Sequence, residues 1–138
     1  MIQPVRPNAH VCRMEVRFVD IDVMGHVNNA VYLNYFEQAR MHFFAAKIGT
    51  EWDWVNHGIL LARNEVEYKQ PTRLHEDVHI EVWIGKVGGK SLEMEYEVFV
   101  PSGNDRILKA FGKSVLVCFD YKQQCTIPIP EQWRAAFV

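Results

Sequence analysis

The sequence predicts an α+β fold in which one long helix lies against the concave face of a curved antiparallel sheet. Three observations carry this. A helix-period apolar stretch follows Asn28-Asn29 and stops at Gly49. Four segments of strand-like alternation come after it, joined by the turn signals Gly88-Gly89 and Pro101–Asp105. Turns that short force neighbouring strands to run antiparallel. A fifth alternating segment precedes the helix.

Taken in order, 1–9 is a loose lead-in. From Val11 to Phe18, Cys12, Met14, Val16 and Phe18 point one way and Arg13, Glu15 and Arg17 the other, which is a half-buried strand. A polar loop leads to the helix, where Asn28 and Asn29 are suited to cap the first turn. Tyr32, Phe36, Ala39, Phe43 and Ala46 form one stripe, and Val31, Leu33, Tyr35, Phe44, Ala45 and Ile48 lie off it. A helix apolar on most sides is expected to be buried on most sides. It runs about 18 residues, or about 27 Å, to the C-terminal stop at Gly49. Its strongly polar pair, Glu37 and Arg40, reads as a local ion pair or as a carboxylate turned to an interface or site.

Thr50 to Gly58 is a connector with Trp52 and Trp54. Ile59–Lys69 reads as a strand stopped by Pro71, and Asp77–Val87 as a second, with Val78, Ile80, Val82 and Ile84 against His79, Glu81 and Trp83. Ser91–Val100 sets Leu92, Met94, Tyr96 and Val98 against Glu93, Glu95 and Glu97, whose carboxylates are expected on a solvated face. Arg106–Asp120 is the last long strand, with Gly112 marking a bulge or bend. Pro130 opens a short closing helix, Glu131–Phe137.

A chain of 138 residues favours one domain, 1–138. With 49% hydrophobic and 23% charged residues it has ordinary globular composition. A net charge of −2 gives no general attraction to nucleic acid or to an anionic membrane, so an anionic ligand must be met by local Lys and Arg. Three cysteines without paired spacing suit a reducing cytoplasm. No apolar run approaches a membrane span. The histidines are scattered, with no H-E-x-x-H and no Cys pair, so no metal is expected. Neither a G-x-S-x-G elbow nor a Gly-rich nucleotide motif is present, and no cofactor is implied.

The densest polar cluster is Asp20, Asp22, His26, Asn28 and Asn29, placed where the loop enters the helix. A helix start offers unpaired amides and the positive end of the dipole, which together stabilise an oxyanion. A carboxylate there can be a nucleophile or a general base. Gly25 permits positive φ or close approach to a ligand. These parts suit acyl transfer or hydrolysis. The competing structural reading is that Asp and Asn cap the helix and His26 bonds backbone.

The run F-V-D-I-D-V-M-G-H-V-N-N-A-V-Y-L-N-Y-F-E-Q-A-R closely resembles the hot-dog-fold acyl-CoA thioesterases, the 4-hydroxybenzoyl-CoA thioesterase family in its broad sense. The resemblance covers the strand, the loop and the helix, and the order of elements extends it over nearly the full chain. It implies a thioesterase acting on acyl-CoA, or on acyl-carrier-protein, with Asp22 as the catalytic carboxylate. It implies a helix-start amide near Asn29 for the carbonyl and Tyr32 in the acyl pocket. In some relatives a Lys-Ser pair after the Gly-rich turn meets the CoA phosphates; here that is Lys90-Ser91, with Lys86 nearby. The H-V-N-N element is shared with acyl-carrier-protein thioesterases, where an asparagine stands in the place of Met24, so His26 is an auxiliary candidate. Catalytic candidates are therefore Asp22, His26, Asn28 and Asn29; substrate-binding candidates are Gly25, Tyr32, Lys86, Lys90 and Ser91. Phe36, Leu60 and Trp83 are further pocket candidates. The rival readings are an acyl-CoA hydratase or dehydratase of the same fold, and a non-catalytic acyl-CoA-binding module. A small curved sheet has edges to cover, so a homodimer or homotetramer is expected.

Overall fold

The computed structural model describes residues 2–137. Its elements in chain order are β1 (His10–Met14), a 3-10 turn (Phe18–Asp20), α1 (Val31–Ile48), β2 (Gly58–Tyr68), β3 (Val78–Val87), β4 (Ser91–Ser102), β5 (Asp105–Asp120), β6 (Cys125–Thr126) and α2 (Glu131–Phe137). The sheet order is β1-β3-β4-β5-β2, with β6 added to the end of β5. Every pairing is antiparallel. The curved sheet carries α1 on one face, which is the hot-dog arrangement.

Burial on α1 falls on Tyr32, Tyr35, Phe36, Ala39, Arg40, Phe43 and Phe44. The spacing of three and four is one face of a helix. Leu33, Met41, Ala45 and Ala46 are exposed, so within one protomer the helix is buried on one side rather than on most. Phe36 stacks on Tyr96 of β4, with ring centroids 4.3 Å apart. Gly112 of β5 lies under the same ring: a Cβ there would collide with Phe36. Gly112 keeps the regular β2–β5 and β4–β5 registers, so it is a seat for a ring and not the expected bulge. The register shifts fall instead between Leu61 and Arg63, Ile84 and Lys86, and Val98 and Phe99.

The first strand is shorter than its alternation predicts. It ends at Met14, and Phe18 is 83% exposed. The cause is Asp20, whose buried carboxylate draws the chain into the 3-10 turn. The β4 glutamates do not share one solvated face. Glu97, opposite the fully buried Glu81 in the β3–β4 register, is itself buried. Two like charges at that spacing repel, and two arginines offset the repulsion. Arg6 bonds Glu81 and Glu97 at 3.1 and 2.6 Å, and Arg106 bonds them at 2.9 and 2.8 Å. The lead-in is thereby tied down: the Val5 and Arg6 amides also donate to Glu81.

The closing helix forms as expected after Pro130. It brings Trp133 and Phe137 against Phe43 and Phe44, with Trp52 and Trp54 completing an aromatic cluster. The indole N–H of Trp133 is buried and has no hydrogen-bond partner among the described residues.

Candidate functional site

The loop between the 3-10 turn and α1 is built from the inside outward. Asp20 is 2% exposed. Its carboxylate accepts from the Arg17 amide at 2.9 Å, the Arg17 guanidinium at 3.0 Å and the Tyr35 hydroxyl at 2.8 Å. Burial pushes this carboxyl up, but those three donors outweigh it and hold it below the usual carboxylate range. The Asp20 carbonyl in turn accepts from the Asn28 amide at 2.9 Å. Asp20 thus clamps both ends of the loop, and Tyr35 ties the clamp to α1.

Between those ends the chain makes a narrow hairpin, with Ile21 bridged to Val27. Gly25 sits at its tip with φ +79°, a conformation open to glycine without strain. The Asp22 side chain folds back over the turn. Its Oδ1 accepts from the Met24 amide at 2.9 Å and the His26 amide at 3.2 Å. Its Oδ2 takes no hydrogen bond among the described residues. One oxygen is therefore anchored by the backbone while the other is free.

The cap of α1 falls just beyond the expected Asn28 and Asn29. The cap position is Ala30, and Asn28 serves from further back: its Oδ1 accepts from the Ala30 amide and its carbonyl from the Val31 amide, both at 2.9 Å. That leaves the Asn29 amide without a partner among the described residues. The Asn29 carbonyl is held by the Tyr68 hydroxyl at 2.8 Å. Tyr32 bonds Thr72 at 2.7 Å and meets the Tyr68 ring edge-on.

Asp22, His26, Asn29, Tyr32, Tyr68 and Lys69 line one cleft of about 280 Å³. The structure therefore brings together Asp22, His26, Asn29 and Tyr32, with Gly25 and Asn28 shaping the backbone around them. It does not bring in the other candidates within one protomer. Lys86 and Ser91 line a separate small recess of about 80 Å³. Lys90 reaches toward Thr126. These three sit at the far end of β3 from the loop, roughly 33 Å away along a ten-residue strand. Trp83 lies on the face of the sheet away from α1, stacked under Arg6 at 3.8 Å. It cannot share a pocket with Tyr32. Phe36 is fully buried, and Leu60 is half-exposed on β2.

Sequence reading missed Tyr35, Tyr68 and Thr72 as supports of the site. The only local signal was Asp20, two residues before Asp22, since a carboxylate beside apolar Val19 and Ile21 needs donors once buried. A larger cleft of about 730 Å³ lies elsewhere, between Trp52–His57 and Ile127–Glu131, away from the α1 entry. Among the described residues no three His, Cys, Asp or Glu side chains are grouped to hold a metal ion, and no helix is long and apolar enough to cross a membrane.

Comparison with known proteins agrees with this architecture. A crystal structure of a thioesterase from Thermus thermophilus, complexed with coenzyme A and zinc, superposes with a TM-score of 0.80 at 35% identity, covering 94% of this chain and 91% of that one. The acyl-acyl carrier protein thioesterase ATL3 of Arabidopsis thaliana is 31% identical over 132 residues, 94% of this chain and 67% of that protein. The long-chain acyl-CoA thioesterase FadM of Escherichia coli is 26% identical over 124 residues, 88% of this chain and 92% of that protein. The model of the thioesterase-like superfamily matches residues 16–137, from just before the Asp20 clamp to the last turn of α2. By fold, loop and family match, this chain belongs to the thioesterase-like superfamily.

Proposed function

We propose that this chain hydrolyses acyl-CoA thioesters, with acyl-carrier-protein thioesters as the alternative donor, and that Asp22 carries the chemistry. The observation behind this is the pairing, in one cleft, of a carboxylate anchored through one oxygen with an amide at the helix start that has no partner among the described residues. The thioester carbonyl accepts from the Asn29 N–H, aided by the positive end of the α1 dipole. The free Oδ2 of Asp22 attacks the carbonyl carbon, or takes a proton from the water that does. The C–S bond breaks, the thiolate leaves and gains a proton, and the acid is released after water adds its oxygen. His26 lies at the rim of the cleft as an auxiliary residue, and Asn28 fixes the backbone that presents the amide.

The acting unit is a homodimer or an assembly of dimers. β2 is an edge strand of eleven residues with Leu60, Leu61 and Tyr68 exposed. An open edge of that length calls for a partner. A two-fold pairing of β2 with its copy sets the Gly58 end beside the partner's Tyr68 end. Through the register Ser91 to Val117 to Leu60, the Lys86–Ser91 hairpin of one protomer then approaches the Asp22 cleft of the other. The separation seen in one protomer is removed, and the hairpin lysines can serve the CoA phosphates. The three free cysteines suit a reducing compartment such as the cytoplasm.

The test is thiol release from a panel of acyl-CoAs by wild type and Asp22→Asn. Turnover by wild type and a loss of on the order of 10²-fold or more in the variant is expected. Unchanged turnover in a folded Asp22→Asn protein would overturn the assignment. Absence of thiol release, with an absorbance change on a 2-enoyl-CoA, would favour hydration instead.

A further inference from the structure

The Asp22 cleft has little space for an acyl chain. It holds about 280 Å³, and Asp22, His26, Lys69 and Gln70 take part of its lining. Two residues expected in a tail pocket are out of reach: Phe36 is fully buried, and Trp83 stacks under Arg6. A cleft of about 730 Å³ lies at the Gly58 end of β2, between the connector into that strand and the segment leading to α2. Its apolar walls are Trp52, Ile127, Pro128, Ile129 and Pro130. The polar side chains among them are already engaged. The Trp52 indole N–H donates to the His57 carbonyl at 2.7 Å, and Asn56 Nδ2 donates to Asp53 at 2.8 Å. Asp120 Oδ1 accepts from the Lys122 and Gln123 amides, both at 2.9 Å. His57 and Glu131 are exposed at the rim. The cleft therefore offers a ligand apolar surface and few hydrogen bonds.

The two-fold pairing of β2 decides what reaches this cleft. With Gly58 beside the partner's Tyr68, His57 and Asn56 on this cleft come beside the partner's Lys69 and the partner's Gln70 on the Asp22 cleft. Neighbouring strands lie about 4.8 Å apart, so the two cavities join end to end. Strand pairing does not close the junction. The Tyr121 hydroxyl donates to the Ile59 carbonyl at 2.6 Å and occupies the open edge of β2 there. We propose that the apolar cleft of one protomer takes the hydrocarbon tail of the acyl thioester whose carbonyl lies at Asp22 of the other. The substrate class is then a medium- or long-chain acyl group. This rests on the hydrolysis and the two-fold assembly of the preceding subsection. The Ile129 amide donates to the Gly89 carbonyl at 3.0 Å. One partner thus carries, side by side, the cleft for the tail and the hairpin for the phosphates.

The first measurement needs no turnover. S-decyl-CoA, a thioether with no carbonyl to hydrolyse, is titrated calorimetrically into the wild-type protein beside S-ethyl-CoA. The decyl analogue should bind more tightly by on the order of tenfold or more, because its methylenes leave water. Ile127→Trp, which fills the cleft, and Pro128→Trp, on its exposed rim, should each remove that difference. Equal affinities in wild type, or a difference that both variants keep, overturn the proposal even if the chain is a thioesterase. A length-dependent affinity lost in both variants, with no thiol released from any acyl-CoA, supports the tail site and overturns the hydrolysis instead. Turnover then tests the sharing between protomers. Ile127→Trp should lower decanoyl-CoA turnover relative to butanoyl-CoA by on the order of tenfold. Co-expressed with Asp22→Asn, it should recover roughly a quarter of wild-type decanoyl-CoA turnover, since half of randomly assembled dimers are hybrids with one complete site of two. No recovery in the hybrids places the tail within one protomer and overturns the proposal.

Discussion

Two aspartates stand two residues apart in the loop and are used in opposite ways. Asp20 spends its carboxylate entirely on the protein, while Asp22 keeps one oxygen open. Tyr35→Phe removes one hydrogen bond to a buried charge, worth about 1.5–3 kcal/mol. Denaturant unfolding should show that loss, and turnover should fall with it because the clamp on the loop loosens. The Asp20 phenol partner is itself affected: burial first, then the bond to Asp20 and its charge, push the Tyr35 hydroxyl up. Glu81 allows a pH prediction. Burial pushes its carboxyl up, but the Val5 amide and the Arg106 and Arg6 side chains outweigh that and hold it below the usual range. A lowered folded value means that its contribution is complete above an ordinary Glu value of about 4.3 and is lost as pH falls through the depressed one. Glu81→Gln should therefore cost stability at neutral pH and leave a shallower acid limb in unfolding curves; an unchanged limb would refute the role. Burial also pushes the Cys12 and Cys118 thiols up to about 11, so alkylation at neutral pH should label Cys125 alone.

At the scale of elements, the alternation of β3, β4 and β5 and the period of α1 were legible because each pattern follows the face that packs into the core. Cys12 and Met14 are buried as the alternation requires, yet β1 stops early. Periodicity is blind to the donors that Asp20 finds in Arg17 and Tyr35. The same blindness placed Glu97 in solvent, since its partners are Arg6, 91 residues away, and Arg106 across the β4–β5 turn. Gly112 was legible as a special position, but its reason is three-dimensional. Gly112→Ala should force Phe36 off Tyr96 at a cost of about 1–3 kcal/mol, the usual range for overpacking. A melting temperature equal to wild type would show that the ring yields freely. Trp133→Ala, removing the anchor of α2, should cost about 3–5 kcal/mol.

The whole molecule is where sequence reading runs thinnest. Hairpins joined by short turns fixed β3, β4 and β5 as neighbours, but β1 beside β3 and β2 beside β5 are long-range pairings set by which faces can be buried together. The loop that carries Asp22, the candidate carboxylate, was legible because its residues are contiguous. The hairpin residues that the resemblance implies, Lys86, Lys90 and Ser91, stand at the other end of the protomer, and in the proposed dimer assembly brings the two together. Light scattering should give a mass of two chains or a multiple of that. Leu60→Lys puts on the open edge the kind of charge that sheets use to refuse a neighbour, and should shift the mass toward one chain and depress turnover while leaving Asp22 untouched. A monomeric, fully active wild type would refute the shared site.

The unpartnered indole of Trp133 has a spectroscopic consequence. It is packed against Phe44, Trp52, Trp54 and Phe137, is fully buried and has no acceptor among the described residues. Its emission belongs at the blue end of the tryptophan range, and undocking of α2 moves it to the red. The chain thus carries its own optical reporter of the closing helix, readable without a label and independent of the chemistry at Asp22.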